Sequence, residues 1–178
     1  MMARNEPPLI VHVLHRLAMG GLENGLVNLI NHLPRERFRH AVVTMTDATD
    51  FAQRITREDV RIVELRKAPG NSVGIQRKFF DVFRELRADV VHTRNLGALE
   101  AQIAAACARV PVRIHGEHGW DINDPDGIRR RYIVMRQLLS ACFDERSEPR
   151  NLGFGNTAAH LVRIDPAAPC AWSYAGQI

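Results

Sequence analysis

Four short stretches hold the residue types that could do chemistry: LAMGGLENG (17–25), TDATD (46–50), HTRNLG (92–97) and HGEHGWD (115–121). Adjacent glycines at 20 and 21 remove two β-carbons, so main chain can approach a ligand closely. A helix beginning at Leu22 would point its unpaired N–H groups at that ligand, an arrangement that favours an anion. A phosphate suits the position; so does a tight strand-to-helix turn that holds nothing. Glu23 falls in the first turn, where a carboxylate is favourable beside the positive helix end whether or not it touches a substrate. Arg94 and Asn95, in the loop expected after His92, could reach an anion or a hydroxyl, whereas His92 reads as a satisfied strand histidine.

His118, set between a strand end and Gly119, is placed to hydrogen-bond a ligand. His115, Glu117, His118 and Asp121 are metal-ligating types, but strand alternation puts His115 and Glu117 opposite His118, and the pattern is not H-E-x-x-H. No metal is expected, and Glu117 and Asp121 remain candidate substrate contacts. Two familiar phosphate loops fail here: there is no G-x-x-x-x-G-K-[ST], and glycines 20, 21 and 25 do not form G-x-G-x-x-G. Asp47 could serve as the ribose-binding acid of a dinucleotide site, though at an unusual distance, and a non-catalytic Rossmann-like nucleotide- or dinucleotide-binding module is the alternative reading. Arg129, Arg130 and Arg131 most simply form a solvated helix surface. Next to an apolar face containing Tyr132, they would also suit anionic lipid or a lipid diphosphate.

These stretches need a scaffold, and the apolar periodicity supplies one. Strands are expected at Leu9–Leu14, His40–Thr46, Arg61–Leu65, Asp89–His92 and VPVRIHG (110–116). Between them lie a helix carrying Leu22, Leu26, Leu29, Ile30 and Leu33 and ended by Pro34, a weak helix at 51–57, a helix with Phe79, Val82, Phe83 and Leu86 on one face, and an Ala-rich helix at 97–109. Alternation of apolar strands with helices predicts an α/β fold, a Rossmann-like doubly wound parallel sheet covered on both faces. Ligands of such sheets bind beyond the carboxyl ends of the strands, where all four chemical stretches fall.

A further helix is expected at 128–139. From about residue 141 the periodicity dissolves, so residues 8–140 read as one domain and 141–178 as an irregular tail.

The chain has 178 residues, of which 46% are hydrophobic and 25% charged, ordinary values for one globular unit. Net charge is +4 and the pI about 9.4. With only 6% aromatics, this mild basicity suits an anionic small molecule or lipid surface better than nucleic acid. Cys107, Cys142 and Cys170 lack C-x-x-C spacing, which fits a reducing cytoplasm. The amino end makes a poor secretory signal and no run approaches a membrane span, so any membrane contact is expected to be peripheral.

With M-G-G-L-E after strand one, H-T-R-N after strand four and H-G-E-H-G-W-D after strand five, residues 8 to about 140 resemble the amino-terminal domain of a bacterial GT-B retaining glycosyltransferase. Within that group the likeness is to the exopolysaccharide-associated sugar transferases found with exosortase systems. The resemblance implies two Rossmann-like domains around a cleft, with a nucleotide-diphosphate sugar as donor, a polysaccharide or lipid-linked acceptor and no metal cofactor. It implies that Gly20 and Gly21 line the donor diphosphate, that His118 is the catalytic-site residue near the transferred sugar or acceptor, and that Glu23, Arg94, Asn95, Glu117 and Asp121 share the cleft-facing loops. The family continues with another apolar strand and a donor-binding domain. Here ACFDERSEPRNLG replaces that strand, so the expectation is a truncated or frame-shifted chain, inactive alone.

Overall fold

The computed structural model describes residues 6–70, 74–116, 129–130, 133–135 and, as backbone only, 145–147. Among them, β1 (Leu9–Leu14), β2 (Arg39–Thr44), β3 (Arg61–Glu64), β4 (Val90–Arg94), β5 (Val112–Gly116) and β6 (Glu145–Ser147) form one sheet in the order β3-β2-β1-β4-β5-β6. Every pairing is parallel. The helices are α1 (Gly21–His32), α2 (Gly74–Leu86), α3 (Asn95–Ala98) and α4 (Ala101–Cys107). The doubly wound α/β reading of the sequence therefore holds.

Strand alternation sorts the apolar side chains onto two faces. Val11, Val13, Ala41, Val43 and Val91 join Ile75, Phe79 and Phe83 of α2 and Ala101, Ala104 and Ala105 of α4 in the larger core. Leu14 and Val42 point the other way, against Leu26 and Ile30 of α1. Both faces being covered explains why β1 is apolar at every residue except His12.

Helix α1 stops where the chain chemistry requires. Its C-cap, Leu33, is extended at φ −71° and ψ 137°, the region to which a residue before proline is confined. Buried Arg57 covers that end, its guanidinium donating to the carbonyls of Ile30 and Leu33 and also to Phe38 O.

Several boundaries differ from the sequence-based expectation, each for a local reason. β4 runs two residues beyond His92 because Thr93 and Arg94 find register partners in His115 and Gly116 of β5. Arg94 thus ends a strand rather than sitting in a loop. The Ala-rich helix starts at Asn95 and is divided into α3 and α4. The weak helix is a 3-10 helix, Asp50–Arg54, capped by the Thr49 hydroxyl, which accepts from Phe51 N–H. A sixth strand, β6, lies where an irregular tail was expected. Its residues, Glu-Arg-Ser, carry no strand pattern, but the open edge of β5 offers unpaired backbone groups, and Ile114 registers with Glu145. From the helix expected at 128–139, Ile133 N–H donates to Arg129 O at 3.1 Å, and Met135 packs on Leu96 and Leu99. No described helix is long and apolar enough to cross a membrane.

Candidate functional site at the β1–β4 crevice

The strand order reverses between β1 and β4: the chain leaves β1 toward β2 on one side, and β4 is followed by β5 on the other. Helical connections diverge at such a point and leave a crevice at the carboxyl ends of the strands, the usual ligand position in this architecture.

From β1 the chain passes through exposed His15 and Arg16 to Gly20, the N-cap of α1. Gly20 is extended and no side chain caps the helix. Its lack of a β-carbon has a definite use: a carbon there would collide with the carboxylate of Glu23, which folds back over Gly20. Glu23 is the third residue of the helix, the position from which an acidic side chain returns to the N-cap. Gly21 is exposed, and a β-carbon there would meet nothing within 4 Å.

From β4 comes Arg94, 5% exposed. Burial draws its guanidinium down to about 10, and the Glu23 carboxylate opposes that shift, so Arg94 remains a cation at neutral pH. Asn95 follows at φ 58°, a left-handed conformation that asparagine tolerates better than most residues, which turns the chain from strand to helix in one step. Gly97 in α3 comes next to the β1 end: a β-carbon on it would lie 3.7 Å from His15 Cβ. Helix start and exposed imidazole thus follow β1, and the buried cation ends the neighbouring β4, at the same carboxyl edge of the sheet. Chemically this edge offers main-chain donors and a fixed positive charge to an anion.

Beneath the edge lies a row of imidazoles. His12 Nε2 and His40 Nδ1 are 3.1 Å apart with stacked rings, and the His92 ring centroid is 5.9 Å from that of His12. Burial, with Arg94 and His40 adding to it, holds His12 well below the usual histidine range. Burial and Arg57 lower His40 to about 4, against the opposing Asp59 carboxylate. Both rings are neutral at pH 7. On the opposite face His115 Nδ1 meets Thr93 Oγ1 at 2.9 Å, and Gln102 Nε2 donates to the same hydroxyl at 2.7 Å. His115 is therefore structural. Among the described residues no group of three or more His, Cys, Asp or Glu side chains could hold a metal ion.

Of the residues singled out in the sequence, Gly20, Gly21, Glu23, Arg94 and Asn95 come together at the crevice. Glu117, His118, Asp121 and Arg131 lie outside the described residues, while Arg129 and Arg130 are exposed. Asp47 is engaged elsewhere: Arg16 donates to its Oδ2 from Nε at 3.1 Å and Nη2 at 2.8 Å, and this contact holds the carboxyl below the usual range. His15 was not anticipated; its only signal is its place directly after the first strand. The buried His12–His40 pair is equally silent, because His12 merely interrupts one apolar run and His40 opens another.

Several solved structures share the fold. A UDP-N-acetylglucosamine 2-epimerase assigned from Listeria monocytogenes matches with TM-score 0.56 and 15% identity over 79% of this chain and 38% of that one. A second UDP-N-acetylglucosamine 2-epimerase gives 0.54 and 13% over 79% and 41%. HepE of Anabaena, solved with UDP and glucose, gives 0.51 and 17% over 76% and 36%. The chain therefore spans about two fifths of the length of these proteins. A comparison with curated proteins gives no significant match. The family model for Glycosyltransferase Family 4 matches residues 19–143, well over half of the sequence and including every element from α1 to β5. This chain belongs to Glycosyltransferase Family 4.

Proposed function

We propose that this domain is the acceptor-side half of a retaining glycosyltransferase that moves a sugar from a nucleotide-diphosphate sugar to a polysaccharide or lipid-linked acceptor. The observation that carries the reading is the placement of the α1 amino end at Gly20–Gly21, after β1, and of buried Arg94, at the end of β4, where the strand order reverses between those two strands. In this reading the donor diphosphate lies on the Gly20–Gly21 main chain, and Arg94 offsets its charge. Asn95 contributes a hydroxyl or phosphate contact, while His118, with Glu117 and Asp121, serves the transferred sugar or the acceptor. Fixed donors and a desolvated cation would stabilise the leaving diphosphate without a metal ion. Arg129, Arg130 and Arg131 would meet the acceptor or an anionic membrane surface peripherally.

HepE, which shares the fold, was solved with UDP and glucose, and this supports a nucleotide sugar as the ligand class here. Transfer also requires an oriented acceptor and a wall against the nucleotide, so this domain by itself should bind weakly and turn over little. Labelled uridine and guanosine diphosphate sugars, titrated against NAD as the control, test the reading. Saturable NAD binding that is lost in Asp47→Asn would favour the dinucleotide alternative, against which the Arg16 contact to Asp47 already weighs.

A further inference from the structure

Glu23 has a part that the diphosphate reading leaves unexplained. Its carboxylate lies over Gly20, at the amino end of its own helix, in space that a side chain at position 20 would otherwise fill and that an anion on this helix end would also need. It is also the acidic group that opposes the effect of burial on Arg94. Negative charge close to a buried arginine favours its cationic form. An anion arriving at Gly20–Gly21 would meet a resident negative charge.

We propose that Glu23 is an intramolecular place-holder: its carboxylate neutralises the crevice when no substrate is bound and must swing off Gly20 when a diphosphate enters. This rests on the diphosphate reading above and adds a selection step to it. A singly charged ligand exchanges one negative charge for another and gains little. A diphosphate, with more charge and more acceptor oxygens, takes the carboxylate's place at the helix end and brings a stronger negative charge to Arg94. Gly20 is then required because the place-holder needs room to fold back. Glu23 makes the site selective for multiply charged phosphoryl groups at some cost in affinity.

The test is calorimetric titration of UDP and UMP into the wild-type protein and Glu23→Gln, with a crystal structure of the wild type with and without UDP. The expected result is that Glu23→Gln tightens UDP about tenfold and UMP by more, so that the preference for the diphosphate shrinks. In the UDP-bound wild type the Glu23 carboxylate should stand clear of Gly20, a readout that needs no variant. UDP binding that weakens in Glu23→Gln, or a bound structure with the carboxylate still on Gly20, overturns the place-holder while leaving the site intact. Absence of UDP binding to both proteins at millimolar concentration overturns the place-holder and the diphosphate reading together.

Discussion

His12 on β1 and His40 on β2 share one buried contact, Nε2 to Nδ1 at 3.1 Å, in the middle of a parallel sheet. One proton serves the two nitrogens; the contact survives one charged ring but not two, and burial is what keeps both rings neutral. Their folded pKa values lie below the ordinary histidine value of about 6.5, so on acidification the unfolded chain takes up protons first. Stability is complete above about pH 6.5 and falls as the pH drops toward 4. Between pH 7 and pH 5 the expected loss is about 2–4 kcal/mol, read as a fall in the urea midpoint. The carboxyls of Asp47 and Asp59, held low by Arg16 and Arg57, give up their share only below about pH 4 and do not blur this window. An unchanged midpoint from pH 7 to pH 5 would refute the neutral pair.

Arg57 is the second buried charge whose removal should be felt throughout. It donates to three carbonyls around the carboxyl end of α1 and to Asp59 through Nε and Nη2, at 3.0 and 2.5 Å. Arg57→Ala strands those carbonyls and should cost about 3 kcal/mol in a denaturant melt. Arg57→Lys keeps the charge but loses the planar fork and should fall between wild type and alanine. Equal stability of all three proteins would show that the helix end is satisfied by other groups.

Neighbouring glycines should respond differently to the same change. Alanine at 20 drives a methyl into the Glu23 carboxylate, whereas alanine at 21 meets open space. Gly21→Ala, at a helical position with open space, should raise stability by about 0.5 kcal/mol, whereas Gly20→Ala should lower it by up to about 1 kcal/mol. In a Glu23→Ala background the Gly20→Ala penalty should vanish, because the colliding group is gone. Equal penalties at the two sites, or a Gly20→Ala cost independent of Glu23, would contradict the observed contact.

The sequence disclosed this fold where a single face-sorting rule governs residue choice. Leu9–Leu14 and the Leu22–Leu33 periodicity predict β1 and α1 to within a residue or two, because burial on both faces of a parallel sheet leaves few alternatives to apolar side chains. It was quiet where backbone pairing decides. Glu145–Ser147 pairs with β5 through its main chain, and the last two residues of β4 are fixed by their partners on β5. At the crevice, the residue types of Gly20, Glu23 and Arg94 were legible, but their relationship was not. Arg94 is buried at a strand end that extends only because β5 pairs with it, and the return of Glu23 over Gly20 depends on helix geometry that no local pattern prints.

The central claim is that a diphosphate rests on the α1 amino end beside Arg94. A crystal structure of the protein with UDP tests it most directly. The account predicts a phosphoryl oxygen within about 3 Å of a main-chain nitrogen at Gly21 or Leu22, with the guanidinium of Arg94 on the same group. UDP bound away from the β1–β4 crevice, for instance with its ribose on Asp47, would contradict it.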